Sequence, residues 1–104
     1  MTGKSFIAYL RTRPEKREEM IALQTELKGL VFEQEPDALV YELLQSDEDP
    51  DRFAVVATFR DDAAFDKHMG IDFHDRLVPP ILACLAEDMK LDFYRSHSWL
   101  ETVA

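Results

Sequence analysis

Several residue types are scarce in this chain of 104 residues, and each scarcity excludes a class of protein. The single cysteine, Cys84, cannot form an intrachain disulfide, and its apolar neighbours predict a buried, reduced thiol. No uninterrupted apolar stretch of about 18 residues is present, so no membrane span is expected, and the amino-terminal segment lacks the apolar run of a signal peptide. These absences predict a soluble, cytoplasmic protein.

Basic residues are few relative to acidic ones. Twelve Lys and Arg stand against 21 Asp and Glu, which gives a formal net charge of −9. The average field of such a protein repels phosphate backbones and anionic lipid surfaces, so neither nucleic acid nor a membrane is an expected partner. The composition, 46% hydrophobic and 32% charged, predicts one globular domain over residues 1–104, too small to add a large enclosed cofactor site to its core.

The predicted order of elements is βαββαβ. Runs rich in Val, Leu, Ile, Tyr and Phe predict strands at Lys4–Arg13, Ala38–Gln45, Arg52–Arg60 and Met89–Trp99. Apolar residues at three- and four-residue steps predict helices at Glu15–Gln34, Asp62–Met69 and over much of Ile71–Ala86. The repeated strand-and-helix order indicates the split βαβ arrangement of a ferredoxin-like α+β sandwich with an antiparallel sheet.

Individual residues predict where some of these elements begin and end. Asp61 is the expected N-cap of the second helix, and Gly70 is expected to end that helix in the left-handed conformation. Asp37 suits a turn with positive φ. Pro79-Pro80 removes two amide donors from the third helix, which predicts a kink or a break near Val78.

The predicted strands carry apolar residues on both faces. In the first strand, Phe6, Ala8 and Leu10 alternate with Ile7 and Tyr9, and the second and third strands follow the same pattern. The predicted helices can cover only one face of the sheet, so we expect a second copy of the chain to cover the other in a two-fold homodimer. The alternative is a monomer whose carboxyl-terminal segment folds over the open face.

The segment from Glu35 to His68 resembles the signature of the antibiotic biosynthesis monooxygenase family, and the likeness extends from about Lys4 to Tyr94. The matching positions are Pro36, Leu39, Tyr41, Glu42, Leu43, Ser46, Asp49, Pro50, Phe53, Asp61, Ala64, His68 and Phe73. The resemblance implies a ferredoxin-like domain that pairs into a dimeric α/β barrel. Members of the family include cofactor-independent oxygenases of polyketide quinones, haem-degrading enzymes and enzymes that process signalling molecules.

Two departures from the family pattern limit what the resemblance implies about chemistry. The family commonly has a Glu and then a Trp late in the third strand, where this chain has Ala57 and Phe59. Haem-degrading members use an Asn, a Trp and a His, but this chain has no Asn, and its one Trp, Trp99, follows the last predicted strand. Haem degradation is therefore not expected.

His68 and Tyr41 are the candidate catalytic residues. A neutral imidazole at position 68 could accept a proton from an acidic phenol or enol, since the unperturbed pKa of histidine is about 6.5. The hydroxyl groups of Tyr41 and Tyr9 could point into a cavity and hold a phenolate. The alternatives are a structural His68 that bonds a carbonyl or carboxylate at the sheet edge, and tyrosines that belong to the core or an interface.

Apolar residues of the helices and the last strand would line a pocket if one lies between helices and sheet. With Tyr9, the candidate substrate-binding residues are Phe65, Met69, Phe73 and Phe93. The same residues would form ordinary core if no pocket exists. His74 is not at metal-ligand spacing from His68, and no second cysteine joins them, so no metal site is expected.

The resemblance implies a cofactor-independent monooxygenase that acts on a small aromatic or polyketide quinol with dioxygen, and binds no metal or flavin. A dry pocket and a proton acceptor would favour the substrate anion, which can reduce dioxygen directly. Two other classes stay open: a non-catalytic dimer that binds a small hydrophobic metabolite, and an isomerase or lyase.

Overall fold

The computed structural model describes residues 2–97. The strands are β1 (Gly3–Arg11), β2 (Ala38–Gln45), β3 (Arg52–Phe59) and β4 (Lys90–Ser96). The helices are α1 (Arg17–Gln34), which follows a 3-10 turn at Pro14–Lys16, then α2 (Asp62–Met69) and α3 (Asp72–Ala83). No helix in this part of the chain is long and apolar enough to cross a membrane.

The four strands form one sheet in the order β2-β3-β1-β4, and each neighbouring pair is antiparallel. Because β3 lies between β1 and β2, the connection through α1 is the split βαβ unit. The predicted ferredoxin-like α+β fold is therefore confirmed. The predicted bounds of β2 and α2 match those of the structure, whereas β1 ends two residues before Arg13 and β4 ends at Ser96. Trp99, the predicted end of the last strand, lies outside the described residues.

One face of the sheet packs against the helices and forms the core. Strand side chains that point to this face alternate with outward ones, as the two-residue repeat requires. The buried strand residues of this face are Phe6, Ala8, Leu10, Tyr41, Phe53, Val55, Ala57 and Phe59. Helix α1 contributes Met20, Leu27 and Val31, and α3 contributes Phe73, Leu77 and Ile81. Burying each large apolar side chain stabilises the fold by about 1.5–3 kcal/mol.

Helix α3 runs without interruption through Pro79 and Pro80, so of the kink or break predicted near Val78 the break was wrong. Each proline lacks the amide that would bond the carbonyl four residues earlier, at Asp75 and Arg76. Both of those residues are exposed, so water can bind the free carbonyl oxygens. The apolar stripe of α3 is buried against the core, and this packing keeps the helix continuous where local preference alone favours a break.

Two turn predictions were wrong in conformation although the elements end where expected. Gly70 follows α2, but its φ is −105°, so its freedom to adopt positive φ is not used. None of the described non-glycine residues has a positive φ, and Asp37 is among them. The amide of Gly70 bonds the nearby carbonyl of Lys67 instead, which closes the helix without a left-handed residue.

The N-cap of α2 was predicted correctly, and its contribution to stability is measurable. The Oδ1 atom of Asp61 accepts a hydrogen bond from the amide of Ala64 at 2.8 Å. We expect Asp61→Ala to lower the free energy of unfolding by about 1 kcal/mol, since a free amide at the helix start loses its partner. Urea denaturation measures the change, with Asp66→Ala in the exposed interior of α2 as control. Equal losses in the two variants would contradict this role.

Candidate functional site

A cavity of about 140 Å³ lies between the helix-covered face of the sheet and the three helices. Every strand and every helix contributes to its wall. The lining residues are Phe6, Ala8, Gln24, Leu27, Tyr41, Val55, Phe65, Met69, His74, Val78, Ile81, Leu82, Met89, Leu91 and Phe93. A cavity of about 150 Å³ in another protein holds benzene, so this space suits a single aromatic ring.

The sequence-predicted binding residues divide into those at the cavity and those elsewhere. Tyr41, Phe65, Met69 and Phe93 line the cavity together. Tyr9 points to the other face of β1 and is 42% exposed, because it alternates with the buried residues Ala8 and Leu10. Phe73 is buried in the core on α3, outside the cavity wall. The predicted role of Tyr9 and Phe73 in binding therefore finds no support in their positions.

The mouth of the cavity is apolar. Met69 on α2, Leu82 on α3, and Leu91 and Phe93 on β4 line the cavity and are also among the exposed large hydrophobic residues. The Nζ atom of Lys4 lies 4.9 Å from the centroid of the Phe93 ring, where a cation is attracted to the aromatic face. An apolar ligand can therefore reach the cavity across the edge formed by β4 and the two short helices.

His68 is buried behind the cavity wall and pairs with a carboxylate. Its Nδ1 atom lies 2.8 Å from Oε2 of Glu35, which follows the end of α1, and both side chains are almost fully buried. An ionised carboxylate only accepts hydrogen bonds, so with Glu35 ionised the Nδ1–H group of His68 is the donor of this bond. This contact is the carboxylate bond expected of a structural His68. Within residues 2–97, no three His, Cys, Asp or Glu side chains could hold a metal ion.

His74 is the histidine that lines the cavity, and sequence reasoning considered it only as a metal ligand. Its ring meets the ring of His68 edge to face, with 4.8 Å between centroids. Burial lowers the pKa of His74 below its usual 6.5, and the neighbouring His68 lowers it further, against a smaller opposing effect of Asp75. His74 is therefore neutral at pH 7 and can accept a proton. The signal for this pairing is the short connection between α2 and α3, Gly70 and Ile71, which keeps the two histidines close in the chain.

Tyr41 places a neutral phenol in the cavity wall. Burial raises the pKa of Tyr41 well above its ordinary value, and the charge of Glu35 raises it further. Its hydroxyl group therefore keeps its proton and can donate a hydrogen bond to an anionic oxygen. The ring of Tyr41 lies 5.9 Å from that of His68, between centroids. Tyr41 and His74 give the wall one donor and one proton acceptor, and Gln24 on α1 is the remaining polar residue of the lining.

The lowered pKa of His74 predicts how stability depends on pH. Below pH 6.5 the unfolded chain binds a proton that folded His74 resists, so the free energy of unfolding should fall as the pH falls. We expect His74→Gln to make this dependence shallower between pH 7.5 and pH 5.5. Urea denaturation at the two pH values measures it, with the exposed His97→Gln as control. An unchanged pH dependence in His74→Gln would refute the assignment.

The chain was compared with known proteins. The model of the family described as antibiotic biosynthesis monooxygenase matches residues 5–78. No curated protein is similar enough to match. Among solved structures, one described as an antibiotic biosynthesis monooxygenase is 31% identical, with a TM-score of 0.80, and the match covers 88% of this chain and 95% of the other.

Two further structures have the same fold. A conserved protein from Methanosarcina mazei Go1 is 23% identical with a TM-score of 0.87, over 92% of this chain and 94% of that protein. A protein from Shewanella oneidensis is 26% identical with a TM-score of 0.80, over 91% of both chains. The family match spans most of the described fold, including β1 to α2 and the start of α3 with both paired histidines. This chain therefore belongs to the antibiotic biosynthesis monooxygenase family.

Proposed function

We propose that this protein is a cofactor-independent monooxygenase of a small, single-ring phenol or quinol. The observation that supports this most directly is the neutral imidazole of His74 in the wall of a cavity the size of one ring. The apolar lining excludes water, which strengthens the electrostatic effect of the few polar groups. Larger members of the quinol class exceed the volume of about 140 Å³, so a single ring fits better than a fused system.

In this mechanism the substrate anion is the reductant of dioxygen. His74 accepts the phenol proton, and the neutral hydroxyl of Tyr41 donates a hydrogen bond to the resulting phenolate. The anion gives one electron to dioxygen, and the ring radical and superoxide combine to form a carbon–oxygen bond. The peroxide takes up the proton from His74. The carbon–hydrogen bond at the same ring carbon then breaks, and its electron pair forms the second carbonyl as the oxygen–oxygen bond breaks. The hydroxide that leaves takes up the ring proton and becomes water. One phenol and one dioxygen thus give one quinone and one water.

In this proposal, His68 and Glu35 hold His74 in place. Their buried hydrogen bond fixes the plane of the His68 ring, and that ring packs against His74 and limits its orientation. His68 is not in the cavity lining, so its proposed role is to position His74 rather than to touch the substrate. This division of roles differs from the direct catalytic role first predicted for His68.

Oxygen consumption tests the assignment of His74. We expect His74→Phe to lower the oxygen uptake rate with single-ring quinols by about a hundredfold or more, since general-base catalysis contributes that much. His68→Gln should lower it less, and the exposed His97→Gln should leave it unchanged. An oxygen electrode with a protein-free control measures the rates. Binding without turnover would favour a binding protein, turnover without oxygen would favour an isomerase or lyase, and either result would overturn the monooxygenase proposal.

We also infer that two copies pair through the open face of the sheet. This face carries Ile7, Tyr9, Leu44, Val56 and Tyr94, with the carboxylates of Glu42 and Asp92 beside Val56 and Ile7, and Tyr94 is 50% exposed. The three helices pack on the opposite face. An apolar surface of this kind in a family whose members form dimeric barrels supports a second copy as the partner. The competing prediction, a carboxyl-terminal segment folded over this face, falls on residues beyond 97, outside the described part of the chain.

Light scattering tests the pairing. We expect a mass of twice the 12.1 kDa of one chain at micromolar concentration. Val56→Lys should halve that mass, because it places a charge in the middle of the apolar face. The control is Gln34→Lys, which adds the same charge to an exposed position at the end of α1. A mass of one chain for the unaltered protein would contradict the dimer.

A further inference from the structure

Gln24 is a polar residue in an otherwise apolar helix stripe. The buried residues of α1 are Met20, Gln24, Leu27 and Val31, at the three- and four-residue steps that face the core. Gln24 is 6% exposed, and its neighbours in this stripe have no side-chain N–H or O–H group that could donate a hydrogen bond to it. A leucine or methionine would fill such a position without a polar atom to satisfy.

The carboxamide oxygen of Gln24 has no hydrogen-bond partner. Among buried side-chain nitrogen and oxygen atoms of residues 2–97, Oε1 of Gln24 is the one found without a partner. A buried acceptor without a donor destabilises the folded state, and such atoms are rare in folded proteins. An unpartnered buried acceptor of this kind calls for an explanation, and a bound molecule that supplies a donor would complete its hydrogen bonding.

The position of Gln24 identifies the kind of ligand that could do so. Gln24 lines the same cavity as Tyr41 and His74, and the other lining side chains are apolar. An oxygen that lacks a donor is satisfied by a hydroxyl or N–H group of a bound molecule. A single-ring compound with a hydroxyl group has both the size of the cavity and the required donor.

We propose that Oε1 of Gln24 accepts a hydrogen bond from a ring hydroxyl of the substrate and thereby selects hydroxylated rings over plain hydrocarbon rings. The proposal rests on the function proposed above, in that the same cavity binds substrate. Because His74 takes the proton of one hydroxyl, a second hydroxyl on the ring is the group that remains to bond Gln24. The substrate class is then a dihydroxylated single ring.

Paired probes of equal size test this role without turnover. Hydroquinone and 4-methylphenol share a ring and one hydroxyl group and differ in a second hydroxyl against a methyl group, and calorimetric titration under anaerobic conditions measures the affinity for each. We expect Gln24→Leu to weaken hydroquinone binding roughly tenfold, the range of one lost hydrogen bond, and to leave 4-methylphenol binding unchanged or tighter. We expect the same changes in affinity for Gln24→Met, whose side chain is unbranched like that of glutamine. Gln34→Leu, the same change at an exposed position of α1, should alter neither affinity.

Stability provides a second readout that separates a binding role from a structural one. Gln24→Leu should raise the urea midpoint of unfolding, since it removes an unpartnered acceptor from the core. A lowered midpoint in both Gln24 variants, or equal loss of hydroquinone and 4-methylphenol affinity, would overturn the proposal. Failure of the unaltered protein to bind hydroquinone would overturn both this proposal and the substrate cavity. Loss confined to hydroquinone in a protein that consumes no oxygen would support Gln24 and overturn only the monooxygenase.

Discussion

The buried hydrogen bond between Glu35 and His68 holds the candidate site together. It joins the residue after α1 to the end of α2, two elements far apart in sequence that meet over one edge of the sheet. Removal of either partner would leave the other buried without a hydrogen-bond partner. This destabilises the folded state more than replacement of both residues by apolar ones. Burial raises the pKa of Tyr41, the charge of Glu35 raises it further, and the ring of His68 packs against that of His74. The pair thus lies next to both polar groups on that side of the cavity and adds to the effect of burial on each of them.

The cavity combines an apolar wall with very few polar groups. Such a wall gives a bound ring its affinity, whereas the polar groups fix its orientation and the state of its protons. Tyr41, His74 and Gln24 come from β2, α3 and α1, so their relative positions depend on how the helices pack on the sheet. The uninterrupted course of α3 through Pro79 and Pro80 matters here, because a break would have moved the carboxyl-terminal half of that helix, which carries Ile81 and Leu82 in the wall.

The fold was predictable from the sequence because, in most of the chain, the structure that each segment prefers locally is also the one that buries its apolar residues. Alternation in the strands, the stripe of α1 and the Asp61 cap each led to elements at or near their observed bounds. The predictions failed where packing overrides local preference, as in α3, and where a turn closes without positive φ, as at Gly70 and Asp37. Four of the seven predicted site residues, Tyr41, Phe65, Met69 and Phe93, line the cavity.

The roles of His68, His74 and Gln24 depend on contacts between elements that are far apart in the sequence, so no local pattern predicts them. His68 occurs in a family signature, but only the structure reveals that a carboxylate from another element occupies its Nδ1 atom. His74 follows across a helix corner whose angle is set by packing. In the sequence, Gln24 is one polar residue in an otherwise apolar helix stripe. Only the structure shows that its Oε1 atom has no hydrogen-bond partner among the described residues.

Strands β1 and β3 take part in two different surfaces. Their alternate residues form the cavity wall on one side and the open face on the other, so a substitution that reshapes the cavity from these strands can also shift the backbone beneath the open face. Gln24, Phe65, Met69, His74 and Leu82 lie on helices and take no part in the open face. The shape and polarity of the cavity can therefore be changed at these helical positions while the open face of the sheet stays as it is.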